Sequence, residues 1–305
     1  MKALQERTKF FLISLFTIAG LFLSSAEIIA QENVLYEKNY SVNSNESLIV
    51  KMSAADIDIV GWNSSEVHIV VEGNESVKDH YDFTFSYKNG TVEVSTEKKS
   101  DWKIWSWSKG FKVKVKVPSE FNVEVKTSGG DIEIKKIDGE IGLYTSGGDV
   151  EIDNSEGSLV AKTSGGDIEL DEFEGTVKLK TSGGDIEAKH IEGSIEAKTS
   201  GGDVELNVSD GRVIGGTSGG DISLKYNGTN EGVELYTSGG SISVQLPSNF
   251  EADVVLKTSG GGINNKFENS SPREITKSKF IGLYNGGGAD FSAKTSGGSI
   301  YVNER

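Results

Sequence analysis

The chain has 305 residues, 46 of them acidic against 31 basic, a formal net charge of −15 and no cysteine. That balance argues against nucleic acid or an anionic membrane surface as partner, because both are themselves negative. The missing thiols exclude a disulfide framework, a thiolate metal site and a cysteine-linked lipid, so stability has to come from packing.

Residues 1–30 have the layout of a signal peptide: Lys2, Arg7 and Lys9 against the single acid Glu6, a weakly polar to apolar run from Phe10 to Leu23, then the small residues Ser24, Ser25 and Ala26. The run is shorter than the roughly 20 apolar residues of a permanent span. Cleavage is expected after Ala30 or after Ala26, giving an exported protein of the periplasm, cell surface or medium with no permanent membrane span. An uncleaved anchor is the other reading.

Residues 31–122 read as a β region that caps the repetitive part of the chain. Ser53-Ala54-Ala55-Asp56-Ile57-Asp58-Ile59 resembles a worn repeat that has lost its glycines. Phe83, Phe85 and Tyr87 alternate before Asn89-Gly90, and Val92 and Val94 alternate after it, which is a hairpin signal. Trp102, Trp105 and Trp107 cluster between Lys103 and Lys109 and suit either a ligand platform or packing of the cap onto the first coils. Val113, Val115 and Val117 then alternate into Pro118.

Residues 123–305 are repetitive. Thr-Ser-Gly-Gly begins at Thr127, Thr145, Thr163, Thr181, Thr199 and Thr217 at a fixed 18-residue spacing, then more loosely at Thr237, Thr258 and Thr295. Such self-similarity marks a solenoid, in which each unit buries its apolar face against its neighbours. After each Thr, apolar residues such as Ile132 and Ile134, or Ile168 and Leu170, flank an outward Glu133 or Glu169, so the local period is two and the element a strand. A second strand precedes each Thr, with Val125 and Val123 or Leu179 and Val177 inward.

Each coil thus has two strands and two turns, with glycine at both turns to supply positive φ. The predicted fold is all-β: a right-handed parallel β-solenoid of two sheets with an irregular antiparallel cap, on the order of 45 Å long. The insertion around Asn269 to Lys279 interrupts the repeat where it can shield an edge.

The worn Ser-Ala-Ala-Asp-Ile-Asp-Ile coil, the hairpin insert, the Val117-Pro118-Ser119-Glu120-Phe121 lead-in and the Thr-Ser-Gly-Gly-Asp-Ile-Glu-Ile coils resemble the bacterial putative-adhesin family. The likeness covers roughly residues 45–305, and Leu246-Pro247-Ser248-Asn249-Phe250 repeats the lead-in. It implies a parallel β-solenoid and an envelope role, with no ligand and no catalytic residues attached. That family is a domain of unknown function.

Gly216-Thr217-Ser218-Gly219-Gly220 matches the spacing of a nucleophile elbow, but that device needs a following helix and His and Asp partners. His68, His80 and His190 show no zinc spacing. No cofactor is expected. Asp131, Asp149, Asp167, Asp185, Asp203 and Asp221 form one outward column and Glu133 to Glu205 a second. Either Lys126, Lys162, Lys180 and Lys198 compensate them across the bend, the Asp side chains accept turn amides, or the column is a calcium ladder. The functional expectation is a non-catalytic envelope or surface module for a protein or glycan ligand. A polysaccharide-active β-helix enzyme and a periplasmic accessory or sensory domain are the alternatives.

Overall fold

The structure, a computed structural model, describes residues 33–99 and 110–305. Among these residues, 24 strands form one mostly parallel, unclosed sheet, with a single short helix, Val77–His80. The architecture is the all-β solenoid that the repeat predicts.

In the middle of the stack the strands Val150–Lys162, Ile168–Lys180 and Ile186–Lys198 are each 13 residues long. They stay paired through the second corner, where Gly157 faces Gly175 and Gly175 faces Gly193. The two expected sheets are therefore two faces of one sheet that folds around this corner, an upstream face ahead of each Thr and a downstream face after it. Ile168, Leu170, Val177 and Leu179 point between the faces and are at most 2% exposed, whereas Glu169 and Lys178 point outward. Each such aliphatic side chain contributes about 1.5–3 kcal/mol by leaving water.

The Thr-Ser-Gly-Gly corner is held by the threonine. Thr163 and Thr181 are buried, and their hydroxyls donate to the carbonyls of Gly148 (2.9 Å) and Gly166 (2.8 Å) in the preceding coil. The expectation of positive φ at both turns needs correcting. Among the Thr-Ser-Gly-Gly corners only Gly130 has a left-handed φ, of +97°. Elsewhere the second glycine serves close stacking: a Cβ on Gly166 would sit 2.1 Å from the Gly148 carbonyl oxygen. Positive φ belongs to the second corner and occurs there twice per coil, as at Glu172 (φ 53°) and Gly175 (φ 134°).

Neighbours in space are not always neighbours in sequence. Ser47–Met52 lies between Thr91–Lys98 and Asn122–Thr127, and Asp56–Trp62 lies between Lys112–Pro118 and Ile132–Lys135, all in parallel register. The other end repeats the device. Asp290–Thr295 lies between Val233–Thr237 and Ala252–Thr258, and Ile300–Glu304 lies between Ile242–Leu246 and Ile263–Lys266. The coil with Thr295 therefore precedes the coil with Thr258 along the stack. Val117-Pro118-Ser119-Glu120-Phe121 and Leu246-Pro247-Ser248-Asn249-Phe250 are the two connections that step past the inserted layer. In each, Pro lies at or just after the end of a strand, where it withholds a ladder donor, and the Phe is buried.

Antiparallel strands close both ends. Val34–Ser41 lies along Glu66–Glu72, and Tyr81–Lys88 pairs with Thr91–Lys98 through the predicted Asn89-Gly90 turn (φ 51° and 74°). Tyr36 packs against Phe83 with ring centroids 4.9 Å apart, filling the space between the end strands. At the far end the hairpin Ser270–Thr276 with Lys279–Tyr284 lies on Ala252–Thr258, so the insertion does cover an edge.

Candidate functional site

The downstream face begins at the Asp corner. Asp131, Asp149, Asp167, Asp185, Asp203 and Asp221 are all exposed and in register. The carboxylate of each accepts the backbone amide of its equivalent in the next coil: Asp131 from Asp149 at 2.9 Å, Asp149 from Asp167, Asp167 from Asp185 and Asp185 from Asp203 at 2.8 Å, and Asp203 from Asp221 at 2.7 Å. Asp56 begins the ladder by accepting from Asp131, and Ser241 ends it by donating to Asp221. One oxygen of each carboxylate is thereby engaged in holding coils together. Among the described residues no group of three or more His, Asp or Glu converges as a metal cage would.

Glu133, Glu151 and Glu187 beside the ladder have lysine partners on their own face. Lys135 lies 2.6 Å from Glu133 and 3.6 Å from Glu151, and Lys189 pairs with Glu187. The lysines ahead of the threonines do not reach across the bend, contrary to one expectation from the sequence. Their upstream strand points them away from the Asp corner, so Lys126 pairs with Glu124 and Lys198 with Glu196. Hydrogen bonds from Lys198 and then Lys178 hold the Glu196 carboxyl down at about 2.

A further acidic row lies in the second corner: Glu120, Asp138, Glu156, Glu174 and Glu192 stand in register. The charge of Asp138, then a hydrogen bond to it, raises the Glu156 carboxyl above its ordinary value.

The four lysines ahead of the threonines belong to a longer row on the upstream face, whose tyrosines and remaining members the sequence did not disclose. In stacking order, the outward position ahead of the threonines is filled by Lys51, Lys126, Tyr144, Lys162, Lys180 and Lys198. It continues with Gly216, Tyr236, Lys294, Lys257 and Lys279. The ammonium groups of Lys126 and Lys162 bracket the Tyr144 ring at 5.6 and 5.7 Å from its centroid. Tyr236 lies across the neighbouring coil, where a Cβ on Gly216 would meet its ring at 2.3 Å, and Lys198 lies 6.0 Å from that ring on the far side. Gly216, which completes the elbow-like spacing, thus makes room for a tyrosine, and Thr217-Ser218-Gly219-Gly220 runs on into the strand Ile222–Asn227. A shallow groove lined by Gly142, Ser158, Val160 and the carboxylates Glu124 and Glu140 runs beside Tyr144.

The other sequence candidates separate. His68 bonds to Glu37 at 3.0 Å and His190 to Asp171 at 2.7 Å, so they serve different surface contacts. Trp102, Trp105 and Trp107 lie outside the described residues. Among the described residues no helix is long and apolar enough to cross a membrane.

No curated protein matches the chain. Among solved structures, a putative adhesin from Bacteroides fragilis NCTC 9343 is 16% identical, with 88% of this chain and 96% of that one covered and a TM-score of 0.46. A putative lipid binding protein from Parabacteroides distasonis ATCC 8503 is 13% identical, covers 88% and 96%, and has a TM-score of 0.30. A putative cell adhesion protein from Clostridium sporogenes ATCC 15579 is 10% identical over 88% and 99%, with a TM-score of 0.22. The sequence model of the Toastrack DUF4097 family matches residues 45–154 and 121–216, which take in the worn first coil, the Val117 to Phe121 step and the regular repeats. The chain belongs to the Toastrack DUF4097 family.

Proposed function

We propose that this protein is a non-catalytic binding module of the cell envelope, exported by its leader, that engages an extended surface ligand across a broad sheet face. The observation that carries the reading is the in-register repetition of outward side chains: equivalent residues recur from coil to coil on both faces. An enzyme site requires a unique constellation around one reacting bond. A repeated row offers equivalent contacts along a chain-like partner, and their summed effect gives avidity.

The test is to incubate the purified mature protein with the polysaccharide fraction of its own envelope and measure co-sedimentation and reducing ends together. Retention on the polymer without new reducing ends is the expected result. Release of new chain ends would establish the polysaccharide-active alternative. Protease treatment of intact cells should remove the protein, and protection until the outer envelope is opened would favour the periplasmic accessory alternative.

A further inference from the structure

We infer that the upstream face is the binding site and that its ligand is a linear, sparsely charged anionic polysaccharide, held along the lysine and tyrosine row. This deepens the binding-module reading and rests on it.

The row is cationic on a protein whose net charge is −15. Lys162 and Lys180 are exposed in consecutive coils, and among the described residues no ion pair is seen for either. The carboxylate ladders lie at the corners and on the opposite face, and of the upstream face's own glutamates Glu124 and Glu196 are already paired with Lys126 and Lys198, so an anionic chain meets favourable charge at Lys162 and Lys180. Nor is the row lysine alone. Tyr144 and Tyr236 interrupt it, the first with two ammonium groups beside its ring and the second with one. Gly216 lacks a side chain where the Tyr236 ring lies down on the sheet, so that ring is seated by the coil beneath it. A tyrosine offers an apolar face with a wet hydroxyl edge, which suits a sugar ring with its C–H face and hydroxyl rim.

Charge spacing points to the same class of ligand. Successive coils stand ~4.8 Å apart, and the tyrosine positions leave wider gaps between ammonium groups. Duplex DNA carries one charge per ~1.7 Å, far denser than this row, and the protein's overall charge opposes it. A polysaccharide with one carboxylate every sugar or two matches the row and gains from the rings. Lysine, a point charge on a flexible stem, also tolerates sliding of such a chain better than the fixed fork of arginine does.

The experiment is affinity electrophoresis of the full mature protein through gels containing polygalacturonate, a neutral soluble β-glucan or duplex DNA. Retardation by polygalacturonate is expected, with binding to the other two roughly tenfold weaker or worse, a difference of about 1.4 kcal/mol. Lys162→Glu with Lys180→Glu should abolish the retardation, and Tyr144→Ser with Tyr236→Ser should weaken it roughly fivefold while leaving the charge intact. Lys225→Glu with Lys266→Glu makes the same change of charge on the downstream face and should leave binding unaltered. Thermal melts check that every variant is folded.

Equal retention of neutral glucan, preference for DNA, or retention unchanged in the folded Lys162 and Lys180 variant would overturn the assignment. In each of those cases the binding-module reading stands if the envelope fraction still holds the protein, and it falls only if that fraction does not.

Discussion

The carboxylate of Asp149 accepts the backbone amide of Asp167 at 2.8 Å, one coil further along the stack. A side chain that looks like surface charge is thus a rung between layers. Asp149→Ala should lower the unfolding free energy by about 1 kcal/mol. Asp149→Asn keeps an acceptor oxygen and removes one like charge from the column, so it should cost less. Urea titration of the two variants checks the order.

The same rung bears on calcium. A hard cation collects 6–8 oxygen ligands, and here one oxygen of each Asp already takes an amide proton. Calcium at matched ionic strength should leave the melting temperature unchanged. Monovalent salt should raise it, because the Debye length shortens to about 10 Å at 0.1 M and screens the column. A calcium-specific rise that disappears when Asp149, Asp167 and Asp185 are all changed to Asn would identify the column as a metal site.

Adjacent glycines should behave differently. A Cβ on Gly166 would lie 2.1 Å from a backbone oxygen, whereas one on Gly165 would meet nothing closer than 3.7 Å. Gly166→Ala should cost about 2–3 kcal/mol through backbone displacement, and Gly165→Ala less than about 0.5 kcal/mol. Denaturant midpoints separate the two, and similar values would place the coils further apart than the structure does.

Two glutamates should give opposite pH signatures. The folded Glu196 carboxyl sits at about 2, below its ordinary value, so its ionised form adds stability above that ordinary value and the gain is lost as pH falls toward 2. Glu196→Gln should therefore be less stable than the parent at neutral pH and match it in strong acid. Glu156 is raised, chiefly by Asp138, so its ionised form costs stability at neutral pH and the cost fades as pH falls through the raised value. Glu156→Gln should be the more stable protein at neutral pH and lose that advantage in acid. Urea midpoints across a pH series read both differences.

Deleting residues 145–162 joins Tyr144 to Thr163 and removes one full period, so Ile134 can face Leu170. The melting temperature should fall by a few degrees, as expected when one unit leaves a nearest-neighbour stack. Deleting 145–153 joins Tyr144 to Asn154 and puts a second corner where a Thr-Ser-Gly-Gly-Asp corner belongs. That variant should lose cooperative unfolding by circular dichroism.

The columns that the sequence discloses are those with an exact period. Ile132, Val150, Ile168 and Ile186 can be aligned without a structure, because one strand and one corner fix where each lands. Lys126, Lys162, Lys180 and Lys198 align in the same way, but the full lysine and tyrosine row does not. Lys51, Lys294 and Lys257 join it through layers that sit out of sequence order, and Tyr236 comes after Gly216 by way of a lengthened corner at Thr229 to Gly232. The repeated Pro-Ser-x-Phe lead-in is visible as a motif, but its role depends on which layer the chain lands in, and only long-range pairing decides that. The positive φ at Glu172 and Lys136 was equally hidden, since neither residue type favours the left-handed region.

The out-of-order layers also set a timetable. Synthesis delivers residues 252–266 before 290–305, yet the later segment lies between the earlier one and the coil at 233–246. A nascent chain that has reached residue 289 therefore holds a finished coil with no native seat, and its apolar seam stays open until the keystone arrives. The solenoid cannot zip shut as a simple ratchet from one end, because at this end closure waits on contacts that skip over a whole hairpin.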